Sequence, residues 1–251
     1  FTGIVHMPNT IPPIQNASDI SFVIKKTEKN IVDVFPTGCL TKNMEGNEIT
    51  EIYDMIKSGS VAFTDDKRSI ENAMLMNIAL EYAQQFNTVI MCTCYDQNLC
   101  KGGQLNEGKI STLLGLKGIP EIAEEIRIAR DIELTKYSNA KIHISTVSTK
   151  KSFHLIKEAK KNGMKISCDI AAHQLILNDE MLTDFNTNLK IFPPSRNKKV
   201  IKELIKAIKN NTIDAISSDH TPVEIEKKKC SFNKADFGIT GLETVFPICN
   251  S

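Results

Sequence analysis

The sequence predicts an α/β fold of the (β/α)8 TIM-type barrel kind, on three observations. Short β-branched runs alternate with longer stretches of helical period, polar residues gather directly after the runs, and no glycine-rich phosphate loop follows the first run. The runs fall at residues 3–6, 31–35, 60–63, 88–92, 141–145, 165–169 and 213–217. Between them lie helical patterns at 48–58, 70–86, 120–137, 150–162 and 198–210, with Pro120 at a helix start and Gly163 just after a helix end. The polar clusters are Met7 to Thr10, Thr64-Asp65-Asp66, Thr93 to Asp96, Thr146 to Thr149, His173 and Asp219-His220. In a closed barrel, strand C-terminal ends share the face on which this architecture builds its sites. The alternative, an open doubly wound sheet, calls for a Gly-rich loop after its first strand.

With 251 residues, 41% of them hydrophobic and 24% charged, the chain has the size of one barrel domain, expected to run over 1–251. Thirty-one Lys and Arg against thirty Asp and Glu leave a net charge of +1, so no field-scale attraction to nucleic acid or to an anionic membrane is implied. Small-molecule partners fit better. Seven scattered cysteines read as reduced, buried thiols, and Cys92-Thr93-Cys94 is too tight for a zinc hairpin. No apolar run approaches the roughly 20 residues of a membrane span, which makes a cytoplasmic, soluble protein the expectation. The chain opens at Phe1 in mid-strand and stops at Ser251 after an apolar run, so it reads as a barrel truncated at both ends.

Several residues offer chemistry, each with a plainer reading beside it. Asp219 follows an apolar strand, where its carboxylate can ligate a metal and take a proton from metal-bound water, or can cap a turn through its own backbone. Asp65 and Asp66 pose the same choice, and adjacent carboxylates are more often a turn and cap than a ligand pair. His143, within a strand, reads as a hydrogen-bonded core histidine, and His173 as a more open one. His154 reads as a surface residue. The Lys227–229 run reads as a solvated loop. Five histidines without a His-x-His pair are few for a two-metal hydrolase.

Further motifs, taken in order, are specific. Phe1-Thr2-Gly3-Ile4 runs into Met7-Pro8-Asn9-Thr10, followed by Gly38-Cys39-Leu40-Thr41-Lys42 and Val61-Ala62-Phe63-Thr64-Asp65-Asp66. Asn106-Glu107-Gly108, Leu114 to Pro120, Ala129-Arg130-Asp131 and Thr187-Asn188-Leu189-Lys190 come next. Asp219-His220-Thr221-Pro222 and Phe237 to Thr244 close the series. In order and spacing the chain resembles dihydroorotases of the longer bacterial type, within the cyclic amidohydrolases, over essentially its whole length. The resemblance implies a metal-dependent hydrolase barrel and a zinc-dependent interconversion of N-carbamoyl-aspartate and dihydroorotate in pyrimidine synthesis. It assigns Asp219 as catalytic Asp and metal ligand, Asp66 as bridging metal carboxylate, Asn9 as a substrate contact, and Phe237 and Gly238 as a segment binding substrate through backbone.

The departures from that pattern are equally specific. Where the family has a metal histidine in Val-His-Cys-Glu-Asp, this chain reads Cys92-Thr93-Cys94-Tyr95-Asp96. Where it has His-Val-Ser-Thr, this chain reads Thr146-Val147-Ser148-Thr149. A neutral hydroxyl is a poor zinc ligand beside imidazole. Phe192 stands where a substrate-contacting Asn precedes Pro-Pro, and Val223 where a His follows Asp-His-x-Pro. The family's His-x-His lies before the position of Phe1.

Three readings follow. In the first expectation the protein is a degenerate, non-catalytic dihydroorotase-like subunit that supports another pyrimidine enzyme, aspartate transcarbamoylase being the partner the family implies, and is oligomeric without bound metal. The second is a working dihydroorotase with a one-metal zinc site, for which retention of Asp66 and Asp219 argues. In the third, Phe192 and Val223 retune the pocket for a less polar ligand.

Overall fold

A computed structural model describes residues 1–250. In chain order the first elements are β1 (Gly3–His6), α1 (Ala17–Thr27), β2 (Asp33–Pro36), α2 (Ile52–Lys57), α3 (Ala73–Gln85) and β3 (Val89–Cys92). Then come α4 (Gln97–Cys100), β4 (Leu105–Asn106), α5 (Lys109–Leu114), β5 (Gly118–Ile119), α6 (Ile122–Ser138) and β6 (Lys141–Ile144). The last are α7 (Lys150–Lys161), β7 (Ile166–Ala171), α8 (Lys198–Lys209), β8 (Ala215–Ser217), α9 (Ile225–Lys228) and α10 (Val245–Cys249). The chain divides into two compact units.

The first unit comprises Phe1–Thr93, Arg130–Ile144 and Ala159–Ile166. Its strands pair in parallel and in chain order: β1 with β2, Gly38 with Phe63, Phe63 with Ile90, and β3 with β6. Chain-ordered parallel pairing is what successive βα units produce when the sheet curls in one direction. The 60–63 run is shorter than the sequence implies. Only Phe63 bridges on both sides, because the Ser60 amide is drawn to the Met55 carbonyl at the end of α2. Helix α2 also begins late, since residues before it pair elsewhere: Ile49 bridges Thr41 and the Thr50 amide bonds the Leu40 carbonyl. Helix α3 starts where the Asn72 side chain accepts from the Met74 and Leu75 amides, a cap that contributes about 1 kcal/mol. Its buried stripe is Leu75, Met76, Ala79, Leu80 and Ala83, the spacing of one helix face.

The second unit comprises Cys94–Ala129, Ser145–Glu158 and the described chain from Ser167 onward. Strands β7 and β8 pair in parallel from Asp169↔Ala215 to Ala171↔Ser217, and β4 pairs with β5. The two-residue strands β4 and β5 lie in a stretch rich in Gly and Lys, without the β-branched run that betrays a strand. Helix α8 turns Val200, Leu204 and Ala207 inward and is capped by Asn197 through the Lys199 and Val200 amides. No helix among the described residues is long and apolar enough to cross a membrane.

Candidate functional site

In the first unit, Asn9 follows β1 and Asp66 follows the Phe63 bridge, and the Asn9 amide donates to the Asp66 carboxylate at 2.7 Å. The neighbouring carboxylate has another task. Asp65 accepts from the Leu40 and Thr41 amides at 2.9 Å each and from the Thr41 hydroxyl, so it is a buried clamp on the loop after β2. Asp66 adopts a left-handed backbone (φ 52°) that turns it away from Asp65. Burial pushes the Asp66 carboxyl above its ordinary range, opposed by Lys67, by the Asn9 hydrogen bond and by Arg68. Thr93 is buried at the end of β3.

In the second unit, Thr146 and Asp219 also take left-handed backbones just beyond strand ends, with φ of 52° and 43°. The Thr146 amide donates to the Asp169 carboxylate at 3.0 Å, which also accepts from the Ser217 hydroxyl at 2.9 Å. The Thr146 hydroxyl is buried and has no hydrogen-bond partner among the described residues. Asp219 is half-buried, and its carbonyl accepts from the Thr221 hydroxyl.

The Asp-His segment is held by the segment from Phe237 to Thr244. His220 Nδ1 accepts from the Gly241 amide at 3.1 Å, and the Thr221 amide donates to the Ile239 carbonyl at 2.8 Å. Both glycines are required by close approach. A Cβ on Gly241 would lie 1.9 Å from the Ser218 carbonyl oxygen, and one on Gly238 would lie 2.5 Å from the Thr221 oxygen and from Val223. Gly238 and Val223 line a cavity of about 350 Å³ with His173, Asn188 and Leu189. His173 is buried there rather than open. The Phe237 ring packs edge-on to Phe192 at 5.9 Å, Phe192 packs on Tyr95 at 4.6 Å, and the Lys190 ammonium sits 4.8 Å from the Phe237 ring centre.

The largest polar arrangement in the second unit was not singled out from sequence. Arg196 is buried and donates to Ser148, Asn106, the Ile119 carbonyl and the Tyr95 hydroxyl. The Tyr95 hydroxyl donates to Glu124 at 2.6 Å, and Glu124 also accepts from the Ser148 and Thr149 amides. Burial, then the Glu124 charge, pushes the Tyr95 hydroxyl well above its ordinary range, so it stays protonated and donates. One signal was present in a departure already noted, Tyr95 in place of the family's Glu, but nothing in its spacing revealed a shared arginine. The middle of the Lys227–229 run also turns inward. Lys228 donates to the Thr187, Lys190 and Asp236 carbonyls, which satisfies all three of its protons and corrects the solvated-loop expectation. His154 is exposed on α7, as its helical position implies.

The donors present do not fit a two-zinc centre. Thr93 and Thr146 offer neutral hydroxyls.

The fold matches the barrel region of hydantoinases and dihydroorotases. L-hydantoinase from Arthrobacter aurescens matches 99% of this chain over 57% of its own, with a TM-score of 0.85 and 23% identity. Dihydroorotase from Saccharomyces cerevisiae, solved with 5-fluoroorotic acid, matches 99% over 70% of its own, with a TM-score of 0.76 and 16% identity. The family follows from sequence. The model of the dihydro-orotase-like family matches residues 1–152. Dihydroorotases of Acetivibrio thermocellus and Thermoanaerobacter sp. are 41% and 42% identical over 99% and 100% of the chain. The chain belongs to the dihydroorotase-like family, and it spans 58% of the length of these two relatives.

Proposed function

We propose that this protein is a degenerate, non-catalytic dihydroorotase-like subunit of pyrimidine synthesis, cytoplasmic and oligomeric, that keeps its barrel to support another enzyme of that pathway. Aspartate transcarbamoylase is the partner the family suggests. The observation that carries this reading is Thr146. Where relatives with His-Val-Ser-Thr place a metal histidine, this chain has a buried hydroxyl without a partner and an amide tied to Asp169. Thr93 adds a second hydroxyl at the other lost histidine, and Phe192, at a substrate-contacting Asn, is occupied in aromatic packing with Tyr95 and Phe237. An apolar ring there cannot hydrogen-bond a substrate carboxylate.

One observation favours the second reading, a working dihydroorotase with a single zinc acting on dihydroorotate and N-carbamoyl-aspartate. Asp66 keeps its carboxylate at an energetic disadvantage, which the Lys67 charge and backbone N–H and the Asn9 amide only partly offset. In that reading Asp66 and Asp219 hold the metal, Asp219 moves the proton, and Asn9, Phe237 and Gly238 hold the substrate. Zinc content and dihydroorotate hydrolysis, measured together on the full-length protein purified without chelator, decide between the two. A folded protein with neither supports the subunit reading, and bound zinc with turnover overturns it.

A further inference from the structure

Positive charge is concentrated on two helical segments of the second unit. The first turns of α7 carry Lys150, Lys151 and Lys157, and α8 carries five lysines, against Glu158 and Glu203 alone. Six net positive charges therefore stand on these segments in a chain whose total is +1, which leaves the remainder acidic. The inward stripes are Phe153 and Ile156 on α7 and Val200, Leu204 and Ala207 on α8, so the lysines point outward. Helix α7 leads into β7 and α8 follows it, so the two segments flank one strand in the chain. Glu203 is held below the ordinary carboxylate range by the Lys206 hydrogen bond and then by the charges of Lys206, Lys150 and His154.

Three lysines have partners: Lys151 with Glu125, Lys198 with Glu180 and Lys206 with Glu203. The other five make no ion pair among the described residues. On α8, Lys198, Lys202 and Lys206 succeed one another at four-residue spacing, where like charges destabilise a helix by about 0.2–0.5 kcal/mol per pair. Among them Ile205 is 40% exposed, next to Lys206 and one turn from Lys202 and Lys209. An aliphatic side chain one turn from the unpaired Lys202 and Lys209, and beside the Glu203-paired Lys206, has the apolar centre and charged rim of a docking surface. The face contains no arginine and, apart from the His154 imidazole, no exposed aromatic ring, the groups that nucleic-acid surfaces favour for phosphate forks and base stacking.

We propose that the α7–α8 face docks an acidic segment of a partner protein, with Ile205 receiving an aliphatic side chain of that segment. The proposal names the surface and partner chemistry of the subunit reading and rests on it for the partner's role.

The test uses the full-length protein and three probes at about 0.15 M salt, where the Debye length is about 8 Å: an amphipathic helical peptide of Glu and Leu, poly-L-glutamate, and single-stranded poly-uridylate RNA. The Glu/Leu peptide is expected to bind most tightly. Lys150→Glu/Lys199→Glu/Lys202→Glu weakens it by about tenfold or more, and the corresponding Gln variant by less. Ile205→Asn weakens the Glu/Leu peptide several-fold and leaves poly-glutamate unchanged. Lys25→Glu/Lys26→Glu on α1 changes neither. Absence of peptide binding, equal loss in the α1 variant, or tighter binding of RNA overturns the proposal. Zinc and turnover in the same preparation overturn only the non-catalytic reading, so the two failures are distinguishable.

Discussion

The Arg196 guanidinium lies 3.8 Å from the Glu124 carboxylate, with the two side chains 2% and 1% exposed. Around the pair, Tyr95, Ser148 and Asn106 absorb the remaining donors and acceptors. A buried charge left without its partner is strongly destabilising. Arg196→Met is therefore expected to lower unfolding free energy by about 3–5 kcal/mol. Guanidinium denaturation of the full-length protein reads the loss. Because the same network is being dismantled, Arg196→Met combined with Glu124→Leu costs less than the two single losses summed.

Tyr95→Phe removes one donor to Glu124 and one acceptor of Arg196 without creating a large void. The expected loss is about 1–3 kcal/mol, measured in the same denaturation series. A neutral result would mean that the Ser148 hydroxyl and the Ser148 and Thr149 amides satisfy Glu124 alone.

Asp66 gives a pH signature. Its folded pKa is raised above the ordinary value of 3.8, mainly by burial, so the unfolded chain gives up that proton first. The penalty is absent below the ordinary value and grows as pH rises through the folded pKa. Asp66→Asn is thus expected to raise Tm at neutral pH and to leave it nearly unchanged at about pH 3, below both values. Thermal melts of both proteins across pH check it. A stabilisation independent of pH would contradict the burial account.

The glycine contacts separate steric from conformational demands. Gly241→Ala drives a methyl group into the Ser218 carbonyl and is expected to cost at least about 2 kcal/mol. Gly163→Ala places its methyl in open space, and only the left-handed backbone (φ 74°) resists it, by about 1–2 kcal/mol. Comparing the two melts tests whether the Phe237–Thr244 segment is held tightly on Asp219-His220.

Much of this was legible in the sequence because periodicity reports burial. The strand runs at 3–6 and 88–92 and the helices at 150–162 and 198–210 agree with β1, β3, α7 and α8 within a residue or so. Helix α1 was missed because Ile20, Phe22, Val23 and Ile24 obscure its period, although Asn16 caps it. The Asn9–Asp66 pair and the division of labour between Asp65 and Asp66 needed coordinates. Neighbouring carboxylates read alike until backbone torsions send one to the Thr41 amide and the other to Asn9. Lys228 shows the same limit, since a charge run does not reveal which lysine turns inward to carbonyl oxygens.

The central proposal is that Thr93 and Thr146, standing where the family pattern has two metal histidines, leave the protein without a catalytic zinc centre. The most direct test compares zinc per chain in the full-length protein with that in Thr93→His/Thr146→His, each assayed for dihydroorotate hydrolysis in the same preparation. The account predicts no tightly held zinc and no turnover in the parent, and higher zinc stoichiometry in the double variant. Tightly bound zinc with turnover in the parent would contradict it.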